Sequence, residues 1–246
     1  MTTRLVQVNV TAREDRALGR FWADALGWGV SSAGTGVTKV EPVGFGWPDA
    51  SAVCVDVVTV AEPESVKCRV HLDLATASIA HHADTVARLT ELGATRIDIG
   101  QGEVPWTVMA DPEGNAFCVL EPREVYRDTG PVAAIVIDCV DPRALARFWD
   151  AATDWTIHEV GDDIARLRSS AGVGPYLEFV RRTGEPTVWT RLHLDVMPYP
   201  GEDRAGEVAR LESLGAHQID IGRGEVPWTV MADPEGTEFR VLAPRD

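Results

Sequence analysis

The sequence predicts an α+β protein of four β-α-β-β-β modules arranged in two tandem halves, and an internal repeat is the main evidence. Residues 100–124 and 222–246 are identical at 19 of 25 positions. The match extends backward, because RVHLDL at 69–74 returns as RLHLDV at 191–196. Earlier still, Phe21-Trp22 returns as Phe148-Trp149. A repeat of this length means that one structural unit is used twice.

The first module of each half opens with a strand and a helix. In residues 5–11, valines alternate with polar residues, which is typical of a half-buried strand. The helix at about 14–26 carries Leu18, Phe21 and Trp22 on one stripe, and Gly27 ends it. Its counterpart starts at Asp141-Pro142, an N-cap followed by a proline at the first helical position. Strands are expected after these helices at 28–31, 37–43, 52–60, 155–160, 164–169 and 176–182.

The second module of each half repeats that order. A strand at 68–74 leads to a helix at about 78–92 with Gly93 at its C-terminus. The sequence Asp111-Pro112-Glu113-Gly114 has the residue preferences of a type I turn and is expected to join the last two strands. The remaining elements are expected at 95–99, 106–110 and 116–120 in the first half, and at 190–196, 202–214, 217–221, 228–232 and 238–242 in the second.

The repeat also predicts the domain boundaries. The offset between the copies falls from 127 to 122 residues, so the first half carries five extra residues, expected before Ala52. Residues 123–131 are polar, break the pattern and are the expected linker. The two domains are therefore expected at 1–122 and 132–246, each with enough residues for its own core.

Composition limits the partners. A net charge of −15 argues against nucleic-acid and anionic-membrane partners, because both require clustered basic residues. The same charge favours cationic or neutral small ligands, although solubility alone also explains it. No apolar run is long enough for a membrane span, and the first residues lack the apolar core of a signal peptide, so a cytoplasmic location is expected. Four cysteines without a CxxC pair make disulfides and structural zinc unexpected.

The motifs resemble those of the vicinal oxygen chelate superfamily, which contains glyoxalases, bleomycin-resistance proteins and extradiol dioxygenases. The resemblance is carried by His71-Leu72-Asp73, by Leu92-Gly93-Ala94 and by residues 111–120, and it covers both halves almost end to end. It is strongest toward the glyoxalase-like domains of actinobacteria. It implies that two modules form an open eight-stranded cup with helices outside, and hence one cup in each half. The fold alone does not identify a reaction.

The resemblance also implies where a metal would bind in each cup. Metal-dependent members take a His or Gln from the first strand, an acid from the fourth, a His from the fifth and a Glu from the last. The positions that correspond are Gln7, Asp56 (or Val55 in an alignment shifted by one), His71 and Cys118, and then Ala134, Glu178, His193 and Arg240. A guanidinium offers no lone pair, so the second cup is not expected to chelate. The first set is of a mixed kind that zinc accepts, but Cys118 is more simply a small buried apolar residue in a strand, as most free cysteines are. We predict no bound metal and no cofactor.

Strand alternation predicts which side chains face each cup. If Val70, Leu72 and Leu74 pack on the helix, the polar residues between them share the concave face. These residues contact ligand, or else the Arg and Asp form an ion pair within the strand. Trp106 and Trp228 are expected to line the cups as aromatic walls. The predicted ligand-binding residues are Gln7, Arg69, His71, Asp73, Trp106, Cys118, Glu178, Arg191, His193, Asp195, Trp228 and Arg240.

Two functions agree with these patterns. The first is a metal-free protein that binds a small aromatic or partly cationic molecule, in the manner of resistance relatives. The second is a lyase, isomerase or dioxygenase that uses either a metal in the first cup or a His/Asp pair as acid and base. The missing ligands, acidic composition and tryptophans favour the first. A homodimer and a monomer are both compatible with the sequence.

Overall fold

A computed structural model describes residues 3–46, 49–61, 69–182, 191–220 and 226–244. The predicted α+β class and the module order are confirmed. Cys68, the first residue of one predicted strand, lies outside the described residues. Within the described residues, no helix combines the length and apolar character needed to cross a membrane.

The first half contains two modules. Module one consists of β1 (Arg4–Ala12), α1 (Asp15–Leu26), β2 (Gly29–Gly34), β3 (Val37–Glu41) and β4 (Cys54–Thr59). Module two consists of β5 (Val70–Leu74), α2 (Ile79–Glu91), β6 (Thr95–Arg96), β7 (Trp106–Ala110) and β8 (Ala116–Leu120). The linker contains a short 3-10 turn at Glu124–Tyr126.

The second half repeats this order. Module three consists of β9 (Val132–Cys139), α3 (Pro142–Ala152), β10 (Trp155–Val160), β11 (Ile164–Ser169) and β12 (Tyr176–Arg181). Module four consists of β13 (Leu192–Met197), α4 (Arg204–Ser213), β14 (His217–Gln218), β15 (Thr229–Ala232) and β16 (Glu238–Val241). Strand β6 is shorter than predicted, because Asp98 and Gly100 form a turn in which the Gly100 N–H donates to Asp98 Oδ1 at 2.8 Å.

The modules pair across the linker rather than within each half. One sheet has the order β14-β15-β16-β13-β1-β4-β3-β2 and combines modules four and one; we call it the terminal sheet. The other has the order β10-β11-β12-β9-β5-β8-β7-β6 and combines modules three and two; we call it the central sheet. The cup on the helix-free face of each sheet takes the name of its sheet.

The expectation that each half closes its own cup is therefore wrong. Strands β1 and β13 pair antiparallel, as do β5 and β9, so each of these seams joins the two halves. The physical reason is that β5 and β13 have nearly the same sequence. Either strand can therefore form the antiparallel hydrogen bonds with the first strand of a half. The boundaries at 122 and 132 are those of the sequence repeat. Independent folding of either repeat stays a prediction.

Helix–sheet contacts inside each half connect the two sheets. Trp22 on α1 donates from Nε1 to Asp111 Oδ2 at 3.3 Å, and its ring packs edge-on against Phe117 of the central sheet. Trp149 on α3 makes the same contacts with Asp233 and Phe239. One apolar core thus runs under the helices of both sheets.

The five extra residues lie where the sequence predicts. Lys39 pairs in register with Asp56, and Arg166 pairs with Glu178 at the equivalent place in the other sheet. The first pair is five residues further apart in sequence than the second. The insertion therefore lies between β3 and β4, a segment that contains the predicted place before Ala52.

Candidate functional site

Each sheet carries two rows of side chains across its helix-free face, and the backbone register makes the rows equivalent. The alternation that buries Leu72 against the helices turns His71 and Asp73 toward this face. Asn9 pairs with Asp56, whereas Val55 lies in the core, so Asp56 is the residue of β4 that faces the cup. The rows are His71–Val136–Glu178–Arg166 and Cys118–Asp73–Ala134–Tyr176 in the central sheet, and His193–Asn9–Asp56–Lys39 and Arg240–Asp195–Gln7–Cys54 in the terminal sheet.

A compact polar cluster lies in the central cup. His71 Nε2 is 3.4 Å from Asp73 Oδ1, and the potential ligand atoms of His71, Asp73 and Cys118 all lie within 4.8 Å of one another. Parallel pairing of β5 with β8 places Cys118 beside Asp73. Asp73 Oδ1 is buried and accepts no well-formed hydrogen bond from the part of the chain that the structure describes, since the 3.4 Å contact with His71 Nε2 is long. A buried acceptor without a well-formed hydrogen bond is unusual and marks this cluster as a candidate site.

Burial and hydrogen bonding act in opposite directions on this cluster. Burial by itself lowers the pKa of His71, but the contacts with Asp73 and Cys118 raise that pKa well above its usual range. Burial, followed by the nearby Asp73 carboxylate, raises the pKa of the Cys118 thiol. These directions favour a protonated His71 ring and a neutral Cys118 thiol near pH 7.

Glu178 forms a second buried group in the same cup. Its Oε1 accepts hydrogen bonds from Tyr126 Oη at 2.7 Å and from Arg166 Nε at 2.6 Å. Burial raises the pKa of the Glu178 carboxyl, whereas Arg166 and Tyr126 oppose that rise. Tyr126 was not predicted from the sequence because it lies in the polar linker. The feature that could have pointed to it is that it is the one aromatic residue of that segment.

A cavity of about 180 Å³ opens next to the His71 cluster. Trp106, Val108 and Ile99 form apolar walls, and His71 and Cys118 contribute polar atoms. The Arg182–Asp138 ion pair, with Nε and Oδ1 3.1 Å apart, lies at its margin. Pockets for drug-sized ligands measure roughly 300–1,000 Å³, so this cavity suits a smaller molecule.

In the terminal cup an ion pair takes the equivalent place, and a cavity of about 140 Å³ lined by Gln7, Lys39 and Asp56 lies in the same sheet. Asp195 is fully buried, and its carboxylate accepts hydrogen bonds from Arg240 Nε at 2.6 Å and from Gln7 Nε2 at 2.8 Å. Arg240 Nη2 contacts the same carboxylate, and the guanidinium lies 5.0 Å from the Trp228 ring centroid. Burial raises the pKa of Asp195, opposed by Arg240 and Gln7.

The alternative of an Arg–Asp ion pair within the fifth strand is wrong for Arg191. Arg191 donates from Nη2 to the Glu113 carbonyl at 2.6 Å and from Nε to Asn115 Oδ1 at 3.2 Å. It therefore fixes the turn before β8 of the other sheet and does not join His193 and Asp195 in a row. Within the described residues Arg69 makes no ion pair with Asp73, and its carbonyl accepts the Asp138 N–H at 2.9 Å.

The two metal-ligand sets expected from the halves are wrong as well, because their members lie in different sheets. Gln7 and Asp56 belong to the terminal sheet, whereas His71 and Cys118 belong to the central one. Ala134 and Glu178 lie in the central sheet, and His193 and Arg240 in the terminal one.

The regrouped residues do not fit a four-ligand divalent site either. In the central cup, Ala134 has no donor, and Glu178 Oε1 is already engaged by Tyr126 and Arg166. In the terminal cup, a guanidinium replaces a ligand and occupies the neighbouring carboxylate. What remains is the nitrogen, oxygen and sulfur cluster of His71, Asp73 and Cys118, which zinc accepts as donor types.

Comparison with known proteins identifies the fold. The chain matches the Glyoxalase-like domain family model twice, at residues 7–120 and 134–242. A mutant glyoxalase I from Zea mays superposes with a TM-score of 0.62 at 13% identity, covering 98% of this chain and 92% of that one. A putative dioxygenase from Bacillus subtilis superposes with a TM-score of 0.61 at 12% identity, covering 98% and 85%. At these identities the likeness shows the fold alone.

One curated relative matches part of the sequence. It is the beta-galactosidase BgaH of Haloferax lucentense, 28% identical over 137 residues. The match spans 55% of this chain and 21% of that protein, so it covers only about a fifth of the relative's length. Because the family model covers most of the sequence in two copies, the chain belongs to the Glyoxalase-like domain family of the vicinal oxygen chelate superfamily.

Proposed function

We propose that the central cup binds a small organic molecule without a metal ion. The observation that carries this proposal is a cavity lined by His71 and Cys118 next to the buried Asp73 Oδ1, which accepts no well-formed hydrogen bond among the described residues and makes only a long 3.4 Å contact with His71. Leaving a buried acceptor unsatisfied costs about 1–3 kcal/mol, so a ligand that brings an N–H or O–H donor recovers this energy on binding.

The walls of the cavity define the rest of the ligand. Trp106, Val108 and Ile99 favour an apolar or aromatic body. The Asp73 carboxylate favours a positively charged or neutral donor over an anion. An aromatic amine or a phenol satisfies both requirements and is the ligand class we propose.

We do not propose a ligand-binding site of this kind in the terminal cup. Both carboxylate oxygens of Asp195 are engaged by Arg240 and Gln7. A ligand there has to break a buried ion pair before it gains a contact, which is unfavourable. We therefore propose a structural role for Asp195, Gln7 and Arg240, and ligand binding by His193 and Trp228 stays a prediction.

A direct binding experiment tests the proposal. Wild-type protein is titrated with small aromatic amines, with phenols and with carboxylate analogues of the same size, and tryptophan fluorescence and calorimetry are recorded. His71→Ala and Asp73→Asn are expected to weaken binding about tenfold, consistent with the loss of hydrogen bonds to charged groups. His193→Ala is the matched control, because it changes the equivalent position of the terminal cup.

Two results would contradict the proposal. Equal weakening by His71→Ala and His193→Ala would remove the assignment to the central cup. One tightly held zinc ion per chain, measured by elemental analysis of protein purified without chelator, would remove the metal-free reading. In that case His71, Asp73 and Cys118 are the residues that hold the ion.

An enzyme is the second candidate, and the His71–Asp73 contact favours it. A carboxylate beside a histidine raises the basicity of the imidazole and orients it for proton transfer. Mass spectrometry of a bound ligand before and after incubation separates the two functions. Unchanged ligand supports binding alone, whereas a product that disappears with His71→Ala supports acid–base chemistry.

A further inference from the structure

A second cavity lies away from both cups, beside the linker between the halves. Its volume is about 580 Å³, within the range of small-molecule pockets. Its walls are the C-terminal end of α1, the segment from Leu74 to Ala77, one side of α2, Pro122 and part of the linker. None of the residues predicted from sequence to bind ligand lines it.

The lining of this linker cavity is basic, although the chain is strongly acidic. Its charged side chains are Arg88, Arg123 and Arg127, against the single acid Glu124. The whole protein has a net charge of −15. A local excess of basic groups in an acidic protein focuses positive potential and attracts anions.

Arg123 is the central residue of this lining. Its guanidinium carbon lies 5.7 Å from the Trp106 ring centroid and 6.0 Å from that of Tyr126. Among the described residues, no carboxylate lies within ion-pair distance of it. Aromatic contacts engage the face of a guanidinium and leave its edge N–H groups for a planar oxyanion.

The other basic groups are held in different ways. Arg88 donates to the carbonyls of Asp24 and Ala25 at 2.7 and 3.0 Å, which fixes it at the end of α1. Arg127 pairs with Glu124, but these side chains are 70% and 76% exposed, so the pair is weak and easily exchanged. Arg127 is therefore able to turn toward an anion at small cost.

We propose that the linker cavity binds a small molecule carrying a carboxylate or phosphate group, with Arg123 as its main contact and Arg127 as a second. The site is separate from the central cup, and the two are linked through side-chain contacts. Arg123, which lines the linker cavity, contacts Trp106, which lines the central cavity. Tyr126, the other ring, donates its hydroxyl to Glu178 in the central cup. An anion held by Arg123 is therefore expected to change the fluorescence of Trp106.

Titration with simple anions tests the site. Inorganic phosphate and succinate are added to the full chain at constant ionic strength, with sodium chloride as the reference salt, while tryptophan fluorescence and melting temperature are recorded. A saturable change with either anion beyond the chloride reference is expected. If only phosphate binds, the ligand carries a phosphate group, and if only succinate binds, it carries a carboxylate.

Four variants locate the binding. Arg123→Gln is expected to weaken it about tenfold or more, since it removes charge-assisted hydrogen bonds. Arg127→Gln, an exposed position that the fold does not need, is expected to weaken it about two- to fivefold. Glu124→Gln removes the only acid in the lining and is expected to strengthen it by a similar factor. Arg143→Gln, which breaks an exposed pair with Asp162 elsewhere, is the control.

Two outcomes would overturn the proposal. One is the absence of a saturable response to either anion beyond that of chloride. The other is a response that Arg123→Gln and Arg127→Gln leave equal to that of Arg143→Gln. Neither outcome depends on the central-cup ligand, so this proposal and the proposed function can fail separately.

Discussion

Asp73 and Asp195 occupy equivalent positions in the two sheets, but their carboxylates have different partners. Asp195 is held by Arg240 and Gln7, whereas Asp73 faces His71 and a cysteine. The difference arises at two places, where Cys118 replaces Arg240 and Ala134 replaces Gln7. A duplicated strand pattern has thus produced two cups that differ in how the equivalent carboxylate is held.

The first prediction concerns the terminal ion pair. Arg240→Met is expected to lower the free energy of unfolding by about 3–5 kcal/mol, because it leaves Asp195 buried and unpaired. The double variant Asp195→Leu/Arg240→Met is expected to recover most of this loss. Urea denaturation measures both. Arg143→Met, which breaks an exposed pair, is the control and is expected to stay within about 0.5 kcal/mol of wild type.

The second prediction concerns pH. His71 has a folded-state pKa well above its usual value, since its contacts with Asp73 and Cys118 outweigh burial. Its contribution to stability is therefore fully present below about pH 6.5 and is lost as the pH rises through the folded pKa. The stability difference between wild type and His71→Gln is expected to shrink as the pH rises from 6 to 9.

Titration of the His71 ring by NMR checks the same point directly. A midpoint above 6.5 is expected, and Asp73→Asn is expected to lower it because the neighbouring negative charge is removed. A midpoint at or below 6.5 in wild type would contradict the geometry of the cluster.

The third prediction follows from the seams between the halves. Residues 1–131 expressed alone retain β1 and β5 but lack β9 and β13, their partners. Unpaired strand edges of this kind pair with another chain. Two copies, each pairing its β1 with the other's β5, regenerate two complete sheets. We therefore expect a dimer by light scattering, and a folded monomer would mean that one repeat can close its own cup.

The fourth prediction concerns the turn before the last strand of module two. The Asp111 carboxylate accepts hydrogen bonds from the Glu113 and Asn115 amides at 2.9 Å and from Trp22 Nε1 at 3.3 Å. Asp111→Ala is expected to cost about 3 kcal/mol or more, because several buried donors lose their acceptor. Asp233→Ala should cost a similar amount, and the exposed Asp128→Ala should cost less than about 0.5 kcal/mol. Thermal and urea unfolding provide the comparison.

Sequence patterns were sufficient for the elements and for the faces of the strands. Alternation at 70–74 correctly placed Leu72 in the core and His71 opposite it, because burial of one face fixes the register of a strand. Helix stripes and the repeat offset located α1, α3 and the insertion before Ala52. The same patterns did not reveal which modules pair.

That failure has a physical cause. Alternation specifies the face of a strand but not its neighbour, and the repeat gives β1 two nearly equivalent partners, β5 and β13. The error affected the predicted site most. A metal-ligand set taken from one half grouped Gln7 with His71, but these residues lie in different sheets. Tyr126 was missed because its position depends on contact with Glu178, 52 residues later, which no local pattern records.

Along the chain, the strands of the central sheet lie between the first and the last strands of the terminal sheet. This arrangement sets an order for folding during synthesis. The central sheet uses residues 70–181, so it can be completed before the last module has been made. Strand β1 is made before the other described strands of its sheet, yet it pairs with β13, which begins only at Leu192. Its edge is exposed throughout that interval, and exposed edges promote aggregation. We therefore expect the nascent chain to need protection at its first strand and to complete the terminal sheet last.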